Sequence, residues 1–263
     1  MPGQASSPIA ARPRERLGED ADPCNGVIVC GTMVSSPATT KLSSSARFWT
    51  IWALALMLMG LVLVLAAPYD LFLSRQVADP GATLGRLVAR YGEWPGIFTA
   101  VSALVVWVLA RRRPLWRARM PLAAAVVSLT LLHPLALTQL LKIFWGRPRP
   151  DALGPWAGRY RPFYRPGGIG RGRSFPSGHV AISAIFVVFP FDLHFRGRHA
   201  LALAVWPLAL GYPLLVAAGR VLAGRHFLCD TIFSVEAALL LAPVLLRLFY
   251  HRGLAAYRAR RDH

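Results

Sequence analysis

Apolar residues in this chain come in long unbroken stretches, not in the alternation of a half-buried soluble fold. Stretches at Trp49–Pro68, Trp94–Ala110, Pro121–Phe144, His179–Phe195, Ala200–Gly219 and Phe227–Tyr250 reach or approach the ~20 residues that an α-helix needs to cross a bilayer. The pattern predicts an all-α fold, a bundle of six transmembrane helices over residues 47–250. Pro134 lies inside the third span and Pro207 and Pro213 inside the fifth. Each predicts a kink that neighbouring helices must support. Between the first two spans, Ala82–Tyr91 is amphipathic, with Leu84, Leu87, Val88 and Tyr91 on one helical face opposite Arg86 and Arg90. That piece reads either as an interfacial helix or as a packed connecting helix.

The polar ends are different. Residues 1–46 are rich in Ser, Pro, Ala, Gly and Thr and predict a disordered tail. The apolar run Gly26–Met33 inside it is too short to span. Met33 is an alternative start, because a Ser/Thr-rich segment and Arg47 follow it. The first span could be a cleaved signal peptide ending at Leu65-Ala66-Ala67, although its length favours a retained anchor. Residues 251–263 form a basic tail, expected on the cytoplasmic side.

Composition agrees with a membrane protein, at 55% hydrophobic and 16% charged residues. The net charge of +18 would suggest a nucleic-acid partner in a soluble protein, but the positive-inside rule accounts for it here. Arg111, Arg112, Arg113, Arg117 and Arg119 follow the second span, Arg196 and Arg198 the fourth, and Arg247, Arg252, Arg258, Arg260 and Arg261 the sixth. A cytoplasmic amino terminus puts all of them on one side, and no nucleic-acid partner is expected. The connection after the third span breaks the rule, with eight Lys or Arg from Lys142 to Arg173 against the single acid Asp151. Either that loop is simply solvated or, as we read it, its cations face a polyanionic substrate on the non-cytoplasmic side. Cys24, Cys30 and Cys229 form neither a metal set nor a disulfide framework.

Three short strings lie at the ends of these spans. They are Lys142 with Arg149-Pro150, then Pro176-Ser177-Gly178-His179, then Arg220 with His226 and Asp230. The ends of spans three and five and the starts of spans four and six must share one membrane face, and all three strings fall there. Together they bring cations for non-bridging phosphate oxygens and two histidines, one to attack phosphorus and one to protonate a leaving group. If span six begins near Arg225, His226 and Asp230 stand one helical turn apart, and Asp230 can accept a hydrogen bond from the ring. Ser177-Gly178 can point backbone N–H groups at an anion. Arg149 sits between Pro148 and Pro150, which stiffen its base, and Arg147 is the neighbouring accessory candidate.

These strings resemble the K-x6-RP, PSGH and SR-x5-H-x3-D signatures of the type 2 phosphatidic acid phosphatase superfamily of integral-membrane lipid phosphatases, with Gly219 in place of the usual serine. The resemblance implies that His226 is the nucleophile, forming a phosphohistidine, with Asp230 orienting it and His179 the general acid. It implies that Lys142, Arg149, Ser177, Gly178 and Arg220 bind the phosphate, and that neither metal nor other cofactor is needed. The expected substrate is a membrane lipid carrying a phosphomonoester or pyrophosphate, at the periplasmic face of a bacterial inner membrane. Lipid A, an isoprenyl pyrophosphate, phosphatidylglycerol phosphate and phosphatidic acid all qualify. The Arg-rich stretch from Arg159 to Arg173 favours the first two. Transfer to an acceptor other than water is the rival outcome, and the oligomeric state stays open.

Overall fold

The computed structural model describes the backbone of residues 37–154 and 158–259 and the side chains of 46–154 and 158–251. The chain divides into units Met1–Ser44 and Ser45–His263. Most of the expected disordered tail, with Cys24, Cys30 and Met33, and the end of the basic tail lie outside the described residues.

The long helices are α1 (Pro37–Ala66), α4 (Trp94–Arg112), α9 (His199–Leu222) and α10 (Leu228–Ala259). Between α1 and α4 come the short helices α2 (Tyr69–Val77) and α3 (Thr83–Tyr91). The third span is α5 (Met120–Thr130) and α6 (Thr138–Trp145), joined through a wide turn at Leu131–Leu137 that contains Pro134. A π-type turn is the usual remedy for a proline that cannot donate to the helix ladder. The fourth span is α7 (Gly178–Ser183) and α8 (Val188–Phe195), joined by a tight turn at Ala184–Val187. The fold is therefore all-α. Among the described residues, six helical stretches are long and apolar enough to cross a membrane: Ala46–Ala66, Thr83–Arg112, Pro114–Ala152, Gly178–Phe195, His199–Leu222 and Leu228–His251. α9 passes Pro207 and Pro213 without a break.

α4, α5, α8 and α10 meet in the main core, where Ala125, Leu129, Ile185, Val188, Ala238 and Leu246 are buried. Small residues at these crossings let backbones approach, as helix association in lipid requires. From Ala46 on, α1 lies at the periphery with Ile51 67% and Met57 71% exposed, the expectation for a lipid-facing surface. The amphipathic piece does form a helix, α3, but only one edge of the apolar face packs. Gly85, Leu84 and Val88 sit against α9, while Leu87 and Tyr91 stay outward. Gly219 explains the fit, since a Cβ there would come 2.6 Å from Val88. A serine at this position would push α3 away.

One end of the bundle is pinned by loop hydrogen bonds. Asp79 N–H donates to Leu222 O at 2.7 Å, Asp151 N–H to Gly224 O at 3.1 Å, and Gly167 N–H to Trp145 O at 2.7 Å. The opposite end carries Arg111 stacked 4.0 Å from the Trp107 ring centre and Arg196 paired to Asp192 at 2.7 Å.

Candidate active site

All three strings end at the pinned face. His226 lies just before α10, which begins at Leu228, so it is not on the helix and does not stack one turn above Asp230. Asp230 is instead the third residue of the helix. Its Oδ2 reaches back to accept the Phe227 N–H at 3.0 Å, half of a capping box that satisfies an orphan donor of the first turn. The same oxygen accepts the Ser174 hydroxyl at 2.5 Å, and Oδ1 accepts Arg147 Nη1 at 2.5 Å.

This arrangement changes how the histidine is held. His226 Nδ1 lies 2.7 Å from the Ser174 carbonyl oxygen and 3.7 Å from Asp230 Oδ2. A carbonyl only accepts, so Nδ1 carries the proton and the neutral ring keeps a free lone pair on Nε2. Asp230 touches the ring through Ser174, whose hydroxyl it clamps, and supplies a negative charge nearby. The ring is 2% exposed. Burial pushes it down to about 4, aided by the Arg220 and Lys142 cations and opposed by Asp230. The neutral, nucleophilic form therefore prevails at ordinary pH.

The cations divide into two kinds. Arg147 is wholly buried and spoken for. Its Nη2 donates to Asp70 Oδ2 at 2.8 Å, its Nε donates to Arg161 O at 2.9 Å, and its guanidinium lies 4.1 Å from the Phe227 ring centre. Asp70 also accepts the Cys229 N–H at 2.8 Å, so this bridge ties α2, the loop after α6 and α10 together. Arg147 is thus not an accessory phosphate ligand but the cation that holds Asp230. Arg149 and Arg220, by contrast, each bury an Nε with no hydrogen-bond partner among the described residues. Lys142 leans on the turn before α7, because a Cβ on Gly178 would lie 2.9 Å from its Nζ. Only glycine lets the ammonium come this close.

The turn itself differs from expectation in one respect. Ser177 N–H is occupied, donating to Asp230 O at 3.1 Å and within 3.1 Å of Ser234 Oγ. What Ser177 leaves without a partner among the described residues is its buried hydroxyl. His179, in the first turn of α7, has Nδ1 2.7 Å from Glu93 Oε1 and Nε2 3.4 Å from Ala89 O. Glu93, Asp70 and Ser174 were not marked by the sequence. Each is a single residue far along the chain from its partner, with no local pattern to betray it. Asp70 and Glu93 do stand out in one way, as an acid just beyond the first membrane-crossing stretch and an acid inside the second.

Three cations without an acid partner and a hydroxyl without a hydrogen bond among the described residues, a buried neutral histidine and a second histidine on a carboxylate can hold a phosphoryl group and move it. No curated protein and no solved structure matches the chain. A family profile does, over residues 120–254, a little more than half of the chain and inclusive of all three strings. That profile describes the PAP2 superfamily, so the chain belongs to this superfamily and is one of its multi-pass membrane phosphatases, acting on a phosphate substrate in the membrane.

Proposed function

We propose that the protein removes a phosphomonoester or pyrophosphate phosphate from a membrane lipid through a phosphohistidine on His226. The observation that carries this reading is the pairing of a buried neutral imidazole with Arg149 and Arg220, whose buried Nε groups have no partner among the described residues. Lys142, Arg149, Arg220 and the Ser177 hydroxyl hold the non-bridging oxygens beside Gly178. His226 Nε2 attacks phosphorus, the bond from phosphorus to the lipid oxygen breaks, and His179 gives that oxygen its proton. Water then attacks the phosphohistidine, returning His179 to its protonated form and releasing inorganic phosphate. Asp230 keeps the Ser174 carbonyl against Nδ1, and Glu93 holds His179.

The site lies at the end of the bundle remote from Arg111 and Arg196, and the positive-inside rule then favours the periplasmic face of a bacterial inner membrane. The cationic loop leans the choice towards lipid A or an isoprenyl pyrophosphate. The test is phosphate release by purified protein, in excess EDTA, from lipid A, undecaprenyl pyrophosphate, phosphatidylglycerol phosphate and phosphatidic acid. Release should survive the chelator and vanish in His226→Ala. Wild-type rates in His226→Ala, or EDTA inhibition reversed by Mg²⁺, would overturn the mechanism.

A further inference from the structure

Five acids fall within the six membrane-crossing stretches: Glu93, Asp151, Asp192, Asp230 and Glu236. Glu93 pairs with His179, Asp151 with Arg225, Asp192 with Arg196 and Asp230 with Arg147. Glu236 alone has no ion pair or hydrogen bond among the described residues, although it is only 9% exposed and its Oε2 is buried. An ionisable side chain at this depth is expensive and rarely idle.

Glu236 lines a cavity of about 470 Å³, within the roughly 300–1,000 Å³ of ligand pockets. The cavity runs between facing stripes of α9 and α10, with Leu214, Ala218 and Leu222 on one side and Leu228, Ile232 and Glu236 on the other. Because the two helices are antiparallel, Leu222 and Leu228 form its outer end and Leu214 and Glu236 its inner end. The outer end lies at the level of the phosphate cradle along the bundle, since Leu222 is two residues beyond Arg220 and Leu228 two beyond His226. Among the described residues, the only other polar side chain in the lining is Thr231, whose hydroxyl already donates to Leu228 O at 2.7 Å, and the rest of the groove is apolar. A plain hydrocarbon chain would be met as well by leucine, and it would leave the carboxyl unsatisfied.

We infer that this groove seats one hydrocarbon chain of the substrate lipid and that Glu236 hydrogen-bonds a polar group on that chain. The inference rests on the lipid phosphatase reading and narrows its substrate class. Glu236 stands eight residues after Leu228 on α10, ~12 Å of rise, and its side chain leans back towards the helix N-terminus. The polar group therefore lies on the order of 10 Å from phosphorus. An acyl chain offers an ester, amide or hydroxyl there. A polyprenyl chain offers nothing, so the groove selects acylated lipid phosphates.

The experiment measures kcat/KM of the full chain in mixed micelles for phosphatidic acid, undecaprenyl pyrophosphate and the chainless p-nitrophenyl phosphate, each lipid expressed as a ratio to the last. Glu236→Leu should lower the phosphatidic acid ratio about tenfold, the effect of one buried hydrogen bond, and should not lower the polyprenyl ratio. Glu236→Gln, which still donates and accepts, should stay within about threefold of wild type. Ala218→Trp, which fills the groove, should lower the phosphatidic acid ratio, whereas Leu203→Trp on the outer surface of α9 should not. Wild-type protein alone gives a second readout. A diazirine placed on an acyl chain ~10 Å from phosphorus should label the peptide containing Leu228–Glu236. Labelling confined to other helices, or a Glu236→Leu effect that is absent or equal for both lipids, overturns the inference and leaves the phosphatase standing. Wild-type protein inactive on every lipid sinks the parent reading with it.

Discussion

Replacing Asp230 by Asn separates two ways of orienting a nucleophilic histidine. Were the carboxylate the direct partner of Nδ1, the amide would misplace the ring or its proton, a change that costs a triad enzyme about 10⁴ in rate. Here the Ser174 carbonyl holds Nδ1, and a side-chain substitution cannot remove it. What Asp230→Asn removes is the negative charge 3.7 Å from the ring. That charge is worth about 4 kcal/mol to the cation developing on the imidazole at an effective dielectric of ~20, less whatever Arg147 cancels. A net loss of about 2–4 kcal/mol is roughly 30- to 10³-fold in the phosphorylation step. Ser174→Ala removes the hydroxyl bond to Asp230 and keeps the carbonyl, so its loss should stay near tenfold or below, about 1.4 kcal/mol. The assay is single-turnover formation of acid-labile phosphohistidine from labelled substrate. Chromatographic and thermal checks accompany it, because a buried pair that loses one partner costs on the order of 3–5 kcal/mol and Asp70 only partly compensates. A well-folded Asp230→Asn variant that loses about 10⁴ or more refutes orientation by the carbonyl. One within about threefold of wild type refutes the electrostatic role.

Other outcomes follow from the same geometry. Glu93→Gln should slow lipid turnover by roughly ten- to a hundredfold, part of the roughly 10²–10⁴-fold that a general acid contributes, while p-nitrophenyl phosphate, whose leaving group needs no proton, falls far less. An equal loss on both would show that Glu93 does not act through the general acid. His226 must be unprotonated to attack and its imidazole is pushed down to about 4, so the acid limb of phosphohistidine formation should centre there and not near the ordinary ~6.5. Below ~6.5 the unfolded chain takes up a proton that the folded one refuses until about 4, so stability should fall across that window as pH drops. A limb and a stability profile governed by ~6.5 would contradict the burial argument. In a background without native cysteines, Ile169→Cys (Ile169 is 70% exposed) should react with an impermeant maleimide on intact spheroplasts, and Leu115→Cys (Leu115 is 86% exposed) only after permeabilisation. The reverse pattern would put the site in the cytoplasm.

Much of this was legible in the chain because membrane spans and the three strings are both local signals. A run of apolar residues must become a helix in lipid, whatever lies beside it. Motif residues such as Lys142 and Arg149 sit close enough in sequence to be read together. The helix starts were read less well, since His226 precedes α10 and Asp230 serves as a cap. Pro134 announces a kink but not that a π-type turn would absorb it. The apolar stripe of α3 points to four residues, yet Gly219 decides which edge packs by admitting Val88. Partners such as Asp70, Ser174 and Glu93 depend on contacts across dozens of residues, and no periodicity encodes those.

The buried bridge from Asp70 through Arg147 to Asp230 also bears on biosynthesis. Its members come from the stretch after the first span, the loop after the third and the start of the sixth. A chain emerging from its translocon makes Asp70 and Arg147 long before Asp230. Until the last helix inserts, the guanidinium has half of its counter-charge and His226, two residues before that helix, has no fixed position against the Ser174 carbonyl. Membrane intermediates with five spans would therefore carry a phosphate cradle with no working nucleophile, and hydrolytic activity would begin only when insertion is complete.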